Sequence, residues 1–173
     1  GGTEKILVQS MLSKRSDDVS GNVAQAIDLE KAGCDIIRVS VPDKDSLKNI
    51  YELKKNVSIP IVADIHFDHK LAIESVYAGV DKIRINPGNI GNDDRIKQVA
   101  DCCRSHGIPI RIGVNSGSVE KKILEKYGRA NAQALADSAI YNTKLLEKFD
   151  FDDIVLSMKS SDVKTMIDAY KIV

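Results

Sequence analysis

Ile59-Pro60-Ile61-Val62-Ala63-Asp64-Ile65 decides the fold: a short, β-branched run with an acid near its C-terminal end, leading straight into His66. Runs of this length and composition, bounded by turn residues, are strands. Outward in both directions the pattern recurs at residues 6–11, 36–41, 82–86, 109–115 and 154–159, which predicts six strands in all. Between them lie longer stretches with helical spacing. The first places Val19, Val23, Ala26, Ile27 and Leu29 on one face and stops at Gly33; others follow at about 46–56, 70–77, 93–105, 118–127, 132–149 and 162–173. Gly33, Gly79 and Gly107 stand where left-handed helix caps are expected. Strict alternation of this kind implies parallel strands covered by helices. No G-x-G-x-x-G follows the first strand, and polar residues gather at the C-terminal ends of nearly every strand instead of at one switch point. Both features favour a closed barrel over a doubly wound sheet. The fold expected is therefore α/β, a TIM (β/α)8 barrel of which the first six βα units are present.

A complete barrel of this type takes about 250 residues, so a chain of 173 is expected to be a truncated portion, one partial-barrel domain over 1–173. Its unclosed strand edges would favour association with another copy. The 25 Lys and Arg balance the 25 Asp and Glu, while 43% hydrophobic content suffices for a core and sets disorder aside. Zero net charge without a basic run argues against general affinity for nucleic acid or an anionic membrane and leaves room only for a focused charged site. Gly1-Gly2-Thr3-Glu4-Lys5 lacks the basic-then-apolar order of a secretory leader, and no apolar run approaches the ~18 residues of a spanning helix, so the expected location is the cytoplasm. Cys34, Cys102 and Cys103 fit neither a disulfide framework nor a Cys-rich metal site and read as reduced thiols in or near the core.

Alternation along each strand separates two faces. Ile37, Val39 and Val41 oppose Arg38 and Ser40; Ile61, Ala63, Ile65 and Phe67 oppose Val62, Asp64 and His66. Likewise Ile83 and Ile85 oppose Lys82, Arg84 and Asn86; Ile110, Ile112 and Val114 oppose Arg111, Gly113 and Asn115; Ile154, Leu156 and Met158 oppose Val155, Ser157 and Lys159. The apolar sets should face the helices and the polar sets the barrel axis. Arg38, Arg84, Arg111 and Lys159 then meet near one mouth beside Asp64, His66, Asn86 and Asn115, with Lys82 deeper or bottom-facing. Four cations against one acid leave a surplus of three. Like charges ~7 Å apart at an effective dielectric of ~20 repel by roughly 2 kcal/mol per pair, which an anionic ligand would relieve. A phosphate or diphosphate suits arginine forks and a lysine point charge.

The Gly-containing loops 86–92 and 115–118 should present backbone N–H groups at helix starts to the same anion. Asp64-x-His66 has the spacing of half a metal site, but no second His or carboxylate shares the inward set of another strand. The pair reads better as partners of substrate hydroxyls, with His66 as catalytic proton donor. His69 and His106 are expected to face solvent or cap helices. Two other classes remain open on these residues: a pterin- or sugar-phosphate-binding barrel using acid–base or condensation chemistry, and a non-catalytic phosphate-binding barrel.

Five stretches, in order and spacing, resemble one known family: Val8-Gln9-Ser10-Met11; Arg38-Val39-Ser40-Val41-Pro42; Val62-Ala63-Asp64-Ile65-His66-Phe67-Asp68; Lys82-Ile83-Arg84-Ile85-Asn86-Pro87-Gly88-Asn89-Ile90-Gly91; and Ile110-Arg111-Ile112-Gly113-Val114-Asn115-Ser116-Gly117-Ser118. They are similar to the 4-hydroxy-3-methylbut-2-en-1-yl diphosphate synthase family over essentially the whole chain. That resemblance implies a TIM barrel that binds 2-C-methyl-D-erythritol 2,4-cyclodiphosphate through Arg38, Arg84, Arg111 and Lys159, with Asp64, His66, Asn86 and Asn115 completing the pocket. It further implies a separate C-terminal domain whose [4Fe-4S] cluster is held by three Cys and a Glu, two electrons from flavodoxin or ferredoxin, and a homodimer in which the cluster domain of one subunit caps the barrel of the other. Cys102-Cys103 does not match the cluster ligands, and no Cys-x-x-Cys region is present. The resemblance therefore places the iron–sulfur domain outside this chain, and the portion alone is expected to bind substrate poorly and reduce nothing.

Overall fold

Six β-branched runs pair into one parallel sheet in the order β1-β2-β3-β4-β5-β6. The strands are β1 (Gln9–Met11), β2 (Ile36–Ser40), β3 (Ile61–Asp64), β4 (Lys82–Ile85), β5 (Ile110–Asn115) and β6 (Ile154–Lys159). The coordinates are a computed structural model that describes residues 5–173; residues 1–4, most of the leader stretch read above, lie outside the described residues. Neighbours in sequence are neighbours in space throughout. A doubly wound sheet would instead place later strands on both sides of the first, so this order is that of barrel staves.

Between strands run α1 (Val19–Lys31), α2 (Leu47–Asn56), α3 (His69–Tyr77), α4 (Pro87–Ile90), α5 (Asp93–His106), α6 (Lys121–Tyr127), α7 (Ala132–Glu147) and α8 (Val163–Ile172). Asp18, Asp68, Asn92, Asn131 and Asp162 each accept a backbone N–H from the first turn of the helix they precede, which sets where five of the loops end. Gly33, Gly79 and Gly107 do take positive φ at the helix ends where caps are expected. No helix among the described residues is long and apolar enough to cross a membrane.

Strand parity sorts the side chains as the alternation predicts. Ile37, Val39, Ile61, Ala63, Ile83, Ile85, Ile110, Ile112 and Val114 are at most 3% exposed and share one core with Ile50, Leu53, Leu71, Val76, Ile96, Val99, Leu135 and Leu146 from the helices. Burying each Ile or Leu contributes about 1.5–3 kcal/mol, and together they hold the staves rigid beneath the loops. Ile154 and Leu156 are only half-buried because β6 ends the sheet. The thiols are free; Cys34 and Cys103 are buried, and burial pushes the Cys103 thiol up to about 12. A thiol held protonated is inert, in keeping with a packing role.

Three local readings need correction. Phe67 is 71% exposed, not part of the apolar face of β3. The strand stops at Asp64, and the chain then bends to bring Asp68 to the start of α3. Loop 86–92 contains the one-turn helix α4, which Pro87 starts readily with its fixed φ. Helix α6 begins at Lys121 instead of 118, because Val119 is drawn under the loop and Glu120 takes the position before the first turn.

Candidate functional site

Ser40, Asp64, Arg84, Arg111 and Val155 are successive register partners across β2 to β6, so they form one inward layer. Arg38, Val62 and Lys82 form a layer beneath it, and Asn115 stands level with Lys159 at the top. Asp64, 1% exposed, is the centre. Its Oδ2 accepts from Arg38 Nη2 at 2.5 Å and its Oδ1 from Arg84 Nη1 at 3.2 Å, while His66 Nε2 lies 3.5 Å from Oδ2. A carboxylate so deeply placed is tolerable only with such partners.

Arg84 also donates from Nη2 to Gly113 O at 2.8 Å. Its guanidinium lies so close over β5 that a Cβ on Gly113 would stand 2.0 Å from Arg84 Nε. Gly113 is thus a slot for a neighbouring strand's side chain. Among the described residues Arg111 pairs with no carboxylate. Nη1 crosses the barrel interior to Gln9 Oε1 of β1 at 2.9 Å, and Nη2 donates to Ser157 Oγ at 2.9 Å. Burial pulls the Arg111 guanidinium below its ordinary pKa, repulsion from Arg38 and Arg84 adds to this, and Tyr170 and Asp64 oppose it. Lys159 is exposed and makes no ion pair among the described residues. The predicted cations therefore share a single acid, and the surplus of three stands.

Asn86 closes β4 on the same parity, is 4% exposed, and has no hydrogen-bond partner on either Oδ1 or Nδ2. Buried Arg38 Nε is also unpartnered. Orphaned polar atoms in a buried position await a partner, because leaving them bare costs about 1–3 kcal/mol each. Asn115 instead uses its Oδ1 on Gly117 N at 3.2 Å, within its own loop.

The loop amides do not behave as the sequence reading expects. Gly88 N donates to Asn142 Oδ1 at 2.8 Å, Asn89 N to Asn86 O at 2.9 Å and Ser118 N to Asn115 O at 2.8 Å. They are already committed, α4 has only four residues, and the Glu120 carboxylate precedes α6. What remains unengaged is the Asn86 side-chain amide beside the side-chain cations. His69 is mostly covered beside Asp68, not solvent-facing, and His106 binds Cys102 O at the end of α5; neither reaches the mouth.

Gln9, Gly113, Ser157, Glu120 and Asn142 were not singled out beforehand. The first three lie on inward parity and were open to that argument; the last two carry no sequence signal. A cavity of about 650 Å³ at the opposite, N-terminal end of the strands is lined by Gln9, Val62, Lys82, Arg111 and Val155, which confirms Lys82 as bottom-facing. Among the described residues no three His, Cys, Asp or Glu groups gather to hold a metal, and Cys34 donates to Val8 O and Ile36 O. The residues present do not fit an iron–sulfur cluster.

Residues 1–173 match the family described as the GcpE TIM-barrel domain. The chain is 52% identical over 171 residues to the 4-hydroxy-3-methylbut-2-en-1-yl diphosphate synthase (flavodoxin) of Fusobacterium nucleatum, covering 99% of this chain and 48% of that one. It is 54% identical over 172 residues to the protein of that name from Caldanaerobacter subterraneus, again 99% and 48%. The chain thus spans about half the length of the curated relatives it matches. Among solved structures, Xanthomonas albilineans dihydropteroate synthase superposes with a TM-score of 0.66 at 14% identity, covering 98% of this chain and 65% of that one. The Thermotoga maritima phospho-2-dehydro-3-deoxyheptonate aldolase gives 0.65 at 11%, covering 96% and 47%. At such identities the likeness establishes the barrel fold alone.

Proposed function

We propose, on the premise that the chain belongs to the GcpE family, that it is the substrate-binding barrel portion of a 4-hydroxy-3-methylbut-2-en-1-yl diphosphate synthase. The observation that carries this is the surplus of three cations around one buried acid, with Arg111 resting on neutral groups alone. The substrate is 2-C-methyl-D-erythritol 2,4-cyclodiphosphate, which the enzyme opens reductively with loss of water. Arg111 and Lys159 attract the diphosphate. Arg38 and Arg84, already oriented by Asp64, hold its oxygens with their remaining donors. Asn86 offers a free donor and acceptor, and Asn115 borders the site. His66, half-exposed and steadied by Asp64, is the proton donor to the departing oxygen.

The reading assigns the two electrons to flavodoxin, the donor that the relatives' names indicate, or to ferredoxin. It places a [4Fe-4S] cluster outside these residues, on a separate domain, and no step here runs through it. A cytoplasmic homodimer, one subunit's cluster domain over the other's barrel, completes the proposal.

Titration calorimetry of the intact protein with the cyclodiphosphate tests it. Arg111→Met should weaken binding by on the order of 2 kcal/mol, about thirtyfold, because a phosphate charge loses its partner. An unchanged dissociation constant would reject the role of Arg111, and no binding by the unaltered protein would reject the proposal.

A further inference from the structure

Behind the Asn86 loop lies a second set of polar groups that the functional reading does not use. Asn142, fully buried on α7, accepts from Gly88 N through Oδ1 at 2.8 Å. Its Nδ2 donates to Glu120 Oε1 at 2.8 Å and to Ser138 O at 2.9 Å. One amide therefore ties three places distant in sequence: the turn after β4, the loop after β5 and the middle of α7. A side chain at residue 88 would press on the relay. A Cβ there would stand 3.2 Å from Asn142 Oδ1, 3.5 Å from Glu120 Oε1 and 3.6 Å from Asn86 Oδ1. Asn86 itself stays buried with both side-chain atoms free, so apart from the bond from Asn89 N to its carbonyl, groups outside Asn86 must hold its turn in place.

We propose that Glu120 and Asn142 are positioning residues for the ligand: the Glu120–Asn142–Gly88 relay fixes α4 so that the free amide of Asn86 is held ready at the mouth. This inference rests on the functional reading above, since it gives Asn86 a ligand to meet. It also accounts for a carboxylate so near an anion site. Glu120 supplies the acceptor that keeps Asn142 in the orientation whose oxygen faces Gly88; with Nδ2 turned toward Gly88 N, two donors would oppose each other.

Reversal of the relay's polarity separates positioning from bulk stability. Asn142→Asp places a carboxylate against Glu120 and removes the donor. Glu120→Gln combined with Asn142→Asp restores the donor–acceptor pair between residues 120 and 142 in the opposite sense, while the Gly88 N–H keeps its acceptor; only the bond within α7 to Ser138 O stays lost. In the intact protein, calorimetry with 2-C-methyl-D-erythritol 2,4-cyclodiphosphate should show the dissociation constant rising at least tenfold for Asn142→Asp and returning to within threefold of the original in the double variant. Melting temperatures are recorded alongside.

A single variant with unaltered affinity, or a double variant no better than the single, overturns the inference. Should Asn142→Asp not fold, Gly88→Ala, which presses on Asn142 Oδ1 on a permitted backbone, must raise the dissociation constant at least fivefold; unaltered affinity there is equally fatal. Unaltered protein that binds the ligand while these variants match it sinks the relay alone. Unaltered protein that does not bind sinks the functional reading and the relay together.

Discussion

On the β2–β4 side of the barrel interior, Arg38 and Arg84 are both tied to Asp64, whereas on the β5–β6 side Arg111, among the described residues, leans on Gln9 and Ser157 and also lines the cavity at the N-terminal end, and Lys159 stands in solvent. Each side contributes two cations. The first has its charge partly answered within the fold, and its guanidiniums are fixed in direction by the carboxylate they share. The second has no acid, and Arg38 and Arg84 push against the charge on Arg111. On the proposed function, the β2–β4 side orients the ligand and the β5–β6 side attracts it. At ~7 Å and an effective dielectric of ~20, each unanswered like pair costs roughly 2 kcal/mol, which a bound diphosphate removes.

The sharpest break of that contrast is at Asp64. Asp64→Asn leaves two partly buried arginines without their shared acid, and the intact protein should lose about 3 kcal/mol of stability in urea unfolding. Arg111→Met, which costs affinity, should cost less than about 1 kcal/mol of stability, because it removes a cation that the fold itself disfavours. Equal losses from the two substitutions would erase the distinction between the sides.

Gly113→Ala joins the two sides by a smaller step. The added methyl falls within 2.4 Å of Arg84 Nε, Nη2 and Cζ, so the guanidinium must leave its slot on β5. A flexible side chain can swing away, and the stability loss should be only about 1 kcal/mol. Affinity for the cyclodiphosphate should fall roughly tenfold, since Arg84 loses its bond to Gly113 O and its angle onto Asp64. A stability loss with full affinity would mean that Arg84 serves the fold and not the ligand.

Much of this was legible beforehand because a strand's period is two and its inward set needs no tertiary knowledge. Arg38, Arg84, Arg111 and Asp64 follow from parity alone, and all four stand on the inward set of their strands. Parity also gives the wrong face once a strand ends. Phe67 continued the apolar alternation on paper, but pairing had stopped at Asp64. The loop amides failed for another reason. Gly and Asn announce a turn, yet whether its N–H groups point at a ligand depends on what lies behind, here Asn142 on α7, 54 residues from Gly88. Side chains from distant elements are invisible to spacing. Gln9 marks the intermediate case, inward by parity but useful only because Arg111 reaches it across the interior.

The smallest expected effect lies at the helical rim, where a charge is again held by partners but in solvent's reach. Asp137 on α7 accepts from Tyr127 Oη at 2.6 Å, from Gln133 Nε2 at 2.9 Å and from Lys126 Nζ at 2.9 Å, so it latches α6 onto α7. These bonds, Tyr127 first, hold its carboxyl down at about 2. An unfolded Asp titrates near about 3.9. The folded form is the stronger acid, so the latch contributes fully above that value, and its contribution is lost as pH falls toward and through about 2. Asp137→Asn should therefore lower stability by under about 1 kcal/mol at pH 7, since its charged partner Lys126 is exposed and the pair lies within reach of solvent. That difference should shrink to a small fraction near pH 2 and vanish below it in urea unfolding followed across the acid range. A deficit that persists unchanged at pH 2 would show that the Asp137 charge is not what closes the latch, and the likeness between rim and mouth, each holding a carboxylate by its donors, would fail.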